Sequence, residues 1–449
     1  MPQFFLHMQS TSANAHKLLF VTALILVASL LSSCGPATEG ERPATRVADA
    51  RIMDEQGPLS PVLSHIPDAA MVDDRVNIAL LLPLSGEGGD MGRALMDAAM
   101  MAFFESYDPR LDLTPYDTRG SKEGALQAAM TALNAGANVI IGPLFSDNVT
   151  AIRDMTSNAG VPVISFSNNV NVAGDGVYLM GFNPADEVRR IVSYATSQGM
   201  ERFAILVPDT DYGDMVFDSF TDAIDATGAS ITAIEVYPRT PQEMFTPVRR
   251  LANYPARRNE YLAEENFLKG LDDDFGDELL ENIKHMETIG DVNFDAVIVP
   301  EGGQLLRSLA PLLPFFEVDP NTVKFLGTGL WDDPSLVLEP PLQGGWFPSA
   351  DVASSATFMA RFKATYGYDA PRLSTIAYDA MSLVLHLARN PVREERFTPA
   401  TFKQAQGFKG VDGPFRIKEN GVVERKLAII EIGKKTLATI EKAEAGFSR

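Results

Sequence analysis

The chain has 449 residues, 45% hydrophobic and 22% charged, with a formal net charge of −21. That balance is ordinary for a globular protein, and its acidity argues against nucleic acid or an anionic lipid face as a partner. A single cysteine excludes an internal disulfide framework.

Chain order begins with an apolar run of 14 residues, Leu18 to Leu31, preceded by Lys17 and followed by Ser32-Ser33-Cys34-Gly35. The run is short for a membrane span and has the layout of a secretory signal. A cysteine at the cleavage point resembles a bacterial lipoprotein signal, in which Cys34 is acylated and becomes the new N-terminus. Residues 1–33 are therefore expected to leave. Residues 34–75, rich in Pro, Ala, Thr, Glu and Asp, are expected to form a disordered tether. Gly35 after the cysteine favours the outer membrane, with lipid as the only membrane attachment.

The body begins with the apolar strand 76–83, followed by a loop and a helix that places Ala94, Leu95, Ala98, Met101 and Ala102 on one face. Strand 113–117, helix 122–135, strand 138–142, a helix to about 159 and strand 161–166 follow. The alternation restarts at 203–207, with a helix over 215–226 and strands at 231–236, 295–300 and 323–327. Continuous apolar strands alternating with amphipathic helices predict parallel sheets covered on both faces: an α/β chain of two doubly wound lobes. Such sheets bind ligands beyond the strand C-termini. Residues 241–293 are a helical, strongly acidic insertion, either a partner-docking element or a solvated elaboration.

Motifs cluster in those loops: Leu81-Leu82-Pro83-Leu84-Ser85-Gly86, Ile141-Gly142-Pro143-Leu144-Phe145-Ser146 and Ser165-Phe166-Ser167-Asn168-Asn169. Asp209-Thr210-Asp211-Tyr212-Gly213 and Leu326-Gly327-Thr328-Gly329-Leu330-Trp331 complete the set. In this order they resemble type I periplasmic binding proteins of the leucine/isoleucine/valine-binding group, from about 76 to about 432. The resemblance implies two lobes joined by a three-strand hinge within a domain spanning 76–435. Lobe I would hold about 76–182 and 349–400, lobe II about 183–348 and 401–435, and 436–449 would be a tail. It also implies a cleft. Ser146 would hold a ligand carboxylate, Ser167 and Asn169 would supply the next contacts, and Tyr212 would cover the ligand. Ser85 and Trp331 join this set through their motifs. Free backbone N–H groups at strand-to-helix junctions suit an anion there.

Amino-acid binders of this group carry an acid after the strand matching 323–326, yet Gly327-Thr328-Gly329-Leu330 has none before Asp332. Glu301, at the neighbouring strand end, is the substitute under a one-residue shift. An unpaired buried ammonium costs several kcal/mol, which disfavours free amino acids as ligands. The opening motif and Gly327-Thr328-Gly329-Leu330-Trp331-Asp332-Asp333 also resemble penicillin-binding-protein activator lipoproteins. That resemblance implies a regulator of peptidoglycan synthesis whose partner is a penicillin-binding protein. The alternative is a solute-binding receptor of an ABC transporter for a small polar ligand. His285 and His386 are the only histidines beyond the tether, and no thiol or metal-spaced cluster accompanies them. No catalysis, cofactor or metal is expected.

Overall fold

The computed structural model describes residues 74–447, apart from 107 and 272. The signal, Cys34 and nearly all of the tether lie outside the described residues. Among those described, no helix is long and apolar enough to cross a membrane.

The first lobe is built on a parallel sheet of order β2-β1-β3-β4-β5. Its strands are β1 (Val76–Leu82), β2 (Leu111–Asp117), β3 (Val139–Ile141), β4 (Val163–Ser165) and β5 (Val177–Leu179). Side-chain alternation along β1 explains why that strand is apolar throughout. Ile78, Leu80 and Leu82 enter a core shared with helices Gly89–Ser106 and Ser374–Leu387. Ala79 and Leu81 face the opposite core, under helices Lys122–Asn134 and Ser146–Asn158. With both faces covered there is no solvent side for polar residues to occupy.

The second lobe repeats the plan with order β15-β14-β10-β9-β8-β6-β7. Strands β6 (Arg202–Pro208), β7 (Ser230–Tyr237), β8 (Ala296–Ile298), β9 (Lys324–Leu326) and β10 (Trp346–Ser349) are parallel. Two antiparallel strands, β14 (Ala428–Ile432) and β15 (Leu437–Glu441), close the edge beside β10.

The described chain passes between lobes after Leu179, after Ser349 and again just before Ala428. This last position differs from the expected one near 400. A small antiparallel sheet of β11 (Phe408–Gly410), β12 (Gly413–Ile417) and β13 (Val423–Arg425) precedes the crossing. Phe415, Ile417 and Val423 pack into the first-lobe core, so 401–425 belongs there and not to lobe II. Residues 413–417 and 428–432 both read locally as short strands, and packing separates their lobes. The expected tail is also partly structured: Leu437–Glu441 pairs with β14 as a half-exposed edge strand.

The acidic insertion begins later than expected. Helix Phe245–Leu251 is a regular covering layer, with Val248 and Leu251 buried in the second-lobe core. Only helices Tyr254–Lys269 and Asp274–Ile283 stand outside the plan, the second started by Asp273, whose carboxylate accepts from Gly276 N at 2.7 Å.

Candidate functional site

A cavity of about 570 Å³ lies between the lobes. The first lobe contributes Met91 from the first helix, Leu144 and Phe145 after β3, and Phe166, Ser167 and Asn168 after β4. Phe182 and Pro184 enter from the first crossing, Glu187 and Tyr212 from two second-lobe helices, and Gly329, Leu330 and Asp332 from the loop after β9. Arg372 and Leu373 close it from the turn before helix Ser374–Leu387. The walls are mostly apolar, with a few charges at one end.

Two of those charges, Arg372 and Asp332, are paired. Arg372 forms ion pairs with Asp332, whose Oδ2 lies 2.6 Å from Nε without a hydrogen bond, and with Asp412, to which Nη1 donates at 2.9 Å. Its guanidinium lies over the Phe182 ring, 4.0 Å from the centroid. Asp412 is fully buried and also accepts from Thr375 Oγ1 at 2.6 Å, while Ser349 Oγ donates to Asp332 Oδ2 at 2.6 Å. Arg372 and Asp412 belong to the first lobe, Asp332 to the second and Ser349 to a crossing strand. The ion pair therefore bridges the lobes. Burial opposes the Arg372 charge, but the Asp412, Asp332 and Glu187 carboxylates outweigh it and hold the guanidinium above its usual range. A second buried arginine, Arg425, pairs with Asp379 at 3.1 Å and donates to Met180 O at 3.3 Å, beside the first and third crossings.

Glu187 sits on the helix that follows the first crossing and accepts from Gly329 N at 3.0 Å. Burial pushes its carboxyl up to about 7, against the Gly329 N–H and the Arg372 charge. Tyr212 donates to or accepts from Thr328 Oγ1 at 2.9 Å, and burial pushes its phenol far above the usual range.

Of the seven cleft residues expected from sequence, Ser167 and Tyr212 line the cavity. Asn168 lines it in place of Asn169, whose side chain instead caps the turn Val170–Val172 by accepting from Asn171 N. Ser146 opens its helix but is not part of the wall, which Leu144 and Phe145 form. Ser85 faces solvent on the rim and bonds Asp117. Glu301 is not at the cavity. It is 3% exposed, held by Arg239 Nε and Nη2 at 3.1 Å, by the Tyr237 hydroxyl at 3.0 Å and by Gly302 N. Trp331 is fully buried and donates its indole N–H to Val299 O at 3.1 Å. It is a core residue.

That tryptophan explains the glycines around it. A Cβ on Gly327 would lie 2.1 Å from the Trp331 ring, and one on Gly345 would lie 2.8 Å away. Gly327→Ala is expected to destabilise the protein by about 1–3 kcal/mol through overpacking. A urea midpoint unchanged from the parent's would contradict this.

Sequence reasoning missed Glu187, Phe182, Arg372 and Asp412. It looked for an acid in the loop after β9, whereas Glu187 reaches that loop from another element. The acids on the cavity wall are Glu187 and Asp332, and not the expected Glu301. One signal was available: charged residues beside Pro184 and Pro371, where the chain turns between layers.

Residues 75–436 match the periplasmic binding protein family. The uncharacterized protein RP748 of Rickettsia prowazekii is 26% identical over 179 residues, 40% of this chain and 47% of that protein. The penicillin-binding protein activator LpoA of Photobacterium profundum is 27% identical over 149 residues, 32% of this chain and 24% of the activator. The chain thus matches less than half the length of these two relatives. Among solved structures, an ABC transporter substrate-binding protein from Sphaerobacter thermophilus superposes with a TM-score of 0.61 at 17% identity, covering 82% of this chain and 96% of that one. A solute-binding protein from Rhodopseudomonas palustris in complex with 3,4-dihydroxybenzoic acid gives 0.56 at 18%, covering 84% and 98%. With the fold and the family profile in agreement over four fifths of its length, the chain belongs to the periplasmic binding protein family.

Proposed function

We propose that this chain is an envelope lipoprotein, anchored through Cys34 to the outer membrane, that binds and activates a penicillin-binding protein. It does no chemistry of its own. The observation that carries this reading is the Arg372 bridge across the cleft. A solute receptor works by opening and closing around free polar groups. Here Arg372 and Asp332, two of the three charged groups at the cavity, are spent on each other and tie one lobe to the other. The similarity to the LpoA activator supports the same reading. A body whose lobes are tied by an ion pair suits a regulator that favours one conformation of a synthase by differential binding. The test adds the full chain to a bifunctional peptidoglycan synthase from the same organism. Faster glycan polymerisation or cross-linking is expected; no stimulation and no binding at micromolar concentration would overturn the proposal.

A second reading, a solute-binding receptor for a small polar ligand, is favoured by the 570 Å³ cavity and by Glu187 on its wall. Ser167 and Tyr212 would then contact the ligand. Such a ligand at a hundredfold excess over its dissociation constant would stabilise the fold by about 2.7 kcal/mol.

A further inference from the structure

The two helices that stand outside the alternating strand–helix plan carry a surface feature away from the cleft. Tyr254–Lys269 and Asp274–Ile283 pack together as a helical hairpin, and an open groove of about 630 Å³ runs beside their seam. Its walls are Ala263, Phe267 and Leu268 from the first helix and Leu279 and Ile283 from the second, with Ile289 behind. Phe267 is 61% exposed, and Phe275 at the start of the second helix is 63% exposed. Large apolar side chains left in water beside a polar rim mark interaction surfaces.

The rim is acidic. Glu260 and Glu264 line the groove itself, and among the described residues neither has an ion pair. Residues 254–291 hold eleven acidic and four basic side chains, a net −7 out of the chain's −21. The hairpin's cations are largely engaged already: Lys269 with Glu265, Lys284 with Glu281, and Arg257 with backbone carbonyls.

We infer that this groove docks a basic amphipathic helix of a partner protein. A groove beside two packed helices accepts a third through anchors at i, i+3 or i+4, and i+7. The acidic rim selects lysine and arginine on the flanks of that apolar stripe and speeds encounter. The same charge argues against the competing occupants. A second copy would bring its own −7 face against this one, and an anionic membrane surface would be repelled. The inference stands whether or not the partner is a penicillin-binding protein, so it can fail without that reading failing.

The probe is a fluorescein-labelled helical peptide of ~18 residues, leucine on one stripe and lysine or arginine elsewhere, long enough to span the longer helix. It is titrated against the full chain by anisotropy, beside a scrambled peptide of identical composition. Micromolar binding is expected, weakened about tenfold or more by Phe267→Ser and by the Glu260→Lys, Glu264→Lys pair, as for central anchors and matched charges. The scrambled peptide should bind about tenfold more weakly, because it keeps the charge and loses the stripe. Both substituted sites are exposed, and unchanged circular dichroism would show that the variants fold. Equal binding of the two peptides would reduce the effect to bulk charge and overturn the inference. So would indifference to Phe267→Ser, or no binding up to about 100 µM. Self-association of the parent that is lost in Phe267→Ser would overturn it in favour of a second copy.

Discussion

Arg372→Met is expected to lower stability by about 3–5 kcal/mol, the cost of leaving buried carboxylates without their partner. Two acids would be stranded. Asp412 is fully buried and Asp332 is 15% exposed at its side chain, so water reaches neither freely. The methionine would still cover Phe182, which keeps the lost packing small and the charge effect dominant. Urea unfolding read by fluorescence measures it. A triple variant that adds Asp332→Asn and Asp412→Asn should regain most of the loss, because removing a whole buried ionic group costs far less than breaking it. A single variant within about 1 kcal/mol of the parent would mean that the bridge does not hold the lobes. Thr375 and Ser349 would then suffice for the two carboxylates.

The second large effect is pH-dependent. Burial raises the Glu187 carboxyl from 4.5 to about 7. Between those values the folded protein holds a proton that the unfolded chain has released. Stability therefore falls as pH rises through that window, and the full cost is present above about pH 7. A shift of this size corresponds to about 3 kcal/mol. Glu187→Gln removes the ionisation while its amide oxygen still accepts from Gly329 N. The variant should be more stable than the parent by up to about 3 kcal/mol at pH 8 and nearly equal to it at pH 4.5. Comparing the two proteins at each pH cancels the titration of every other group. A stability difference that is the same at both pH values would remove Glu187 as the titrating group. The same variant bears on ligands: a cationic ligand that binds the cleft would lose its counter-charge in Glu187→Gln, a neutral one would not.

The two doubly wound lobes were legible in the chain because their strands are apolar on both faces. Val76–Leu82 and Arg202–Pro208 announce buried parallel strands by composition alone, and the helices between them carry a single apolar stripe. The motif loops were legible for the same local reason, since each follows directly on a strand end. The family resemblance also singled out Ser167 and Tyr212, which do line the cavity.

Other features depend on tertiary approach and leave no periodic trace. Glu187 and Gly329 are 142 positions apart, and Arg372 reaches Asp412 across 40. Trp331 sits in a motif loop and Glu301 at a strand end, yet one enters the core and the other pairs with Arg239. The third crossing was misplaced because 413–417 and 428–432 both read locally as short strands, and only their packing assigns them to different lobes. Local periodicity determined which segments are strands and helices, since burial on one or both faces is written residue by residue. The pairing of charges at the cleft was decided by tertiary structure alone, because it depends on which elements meet.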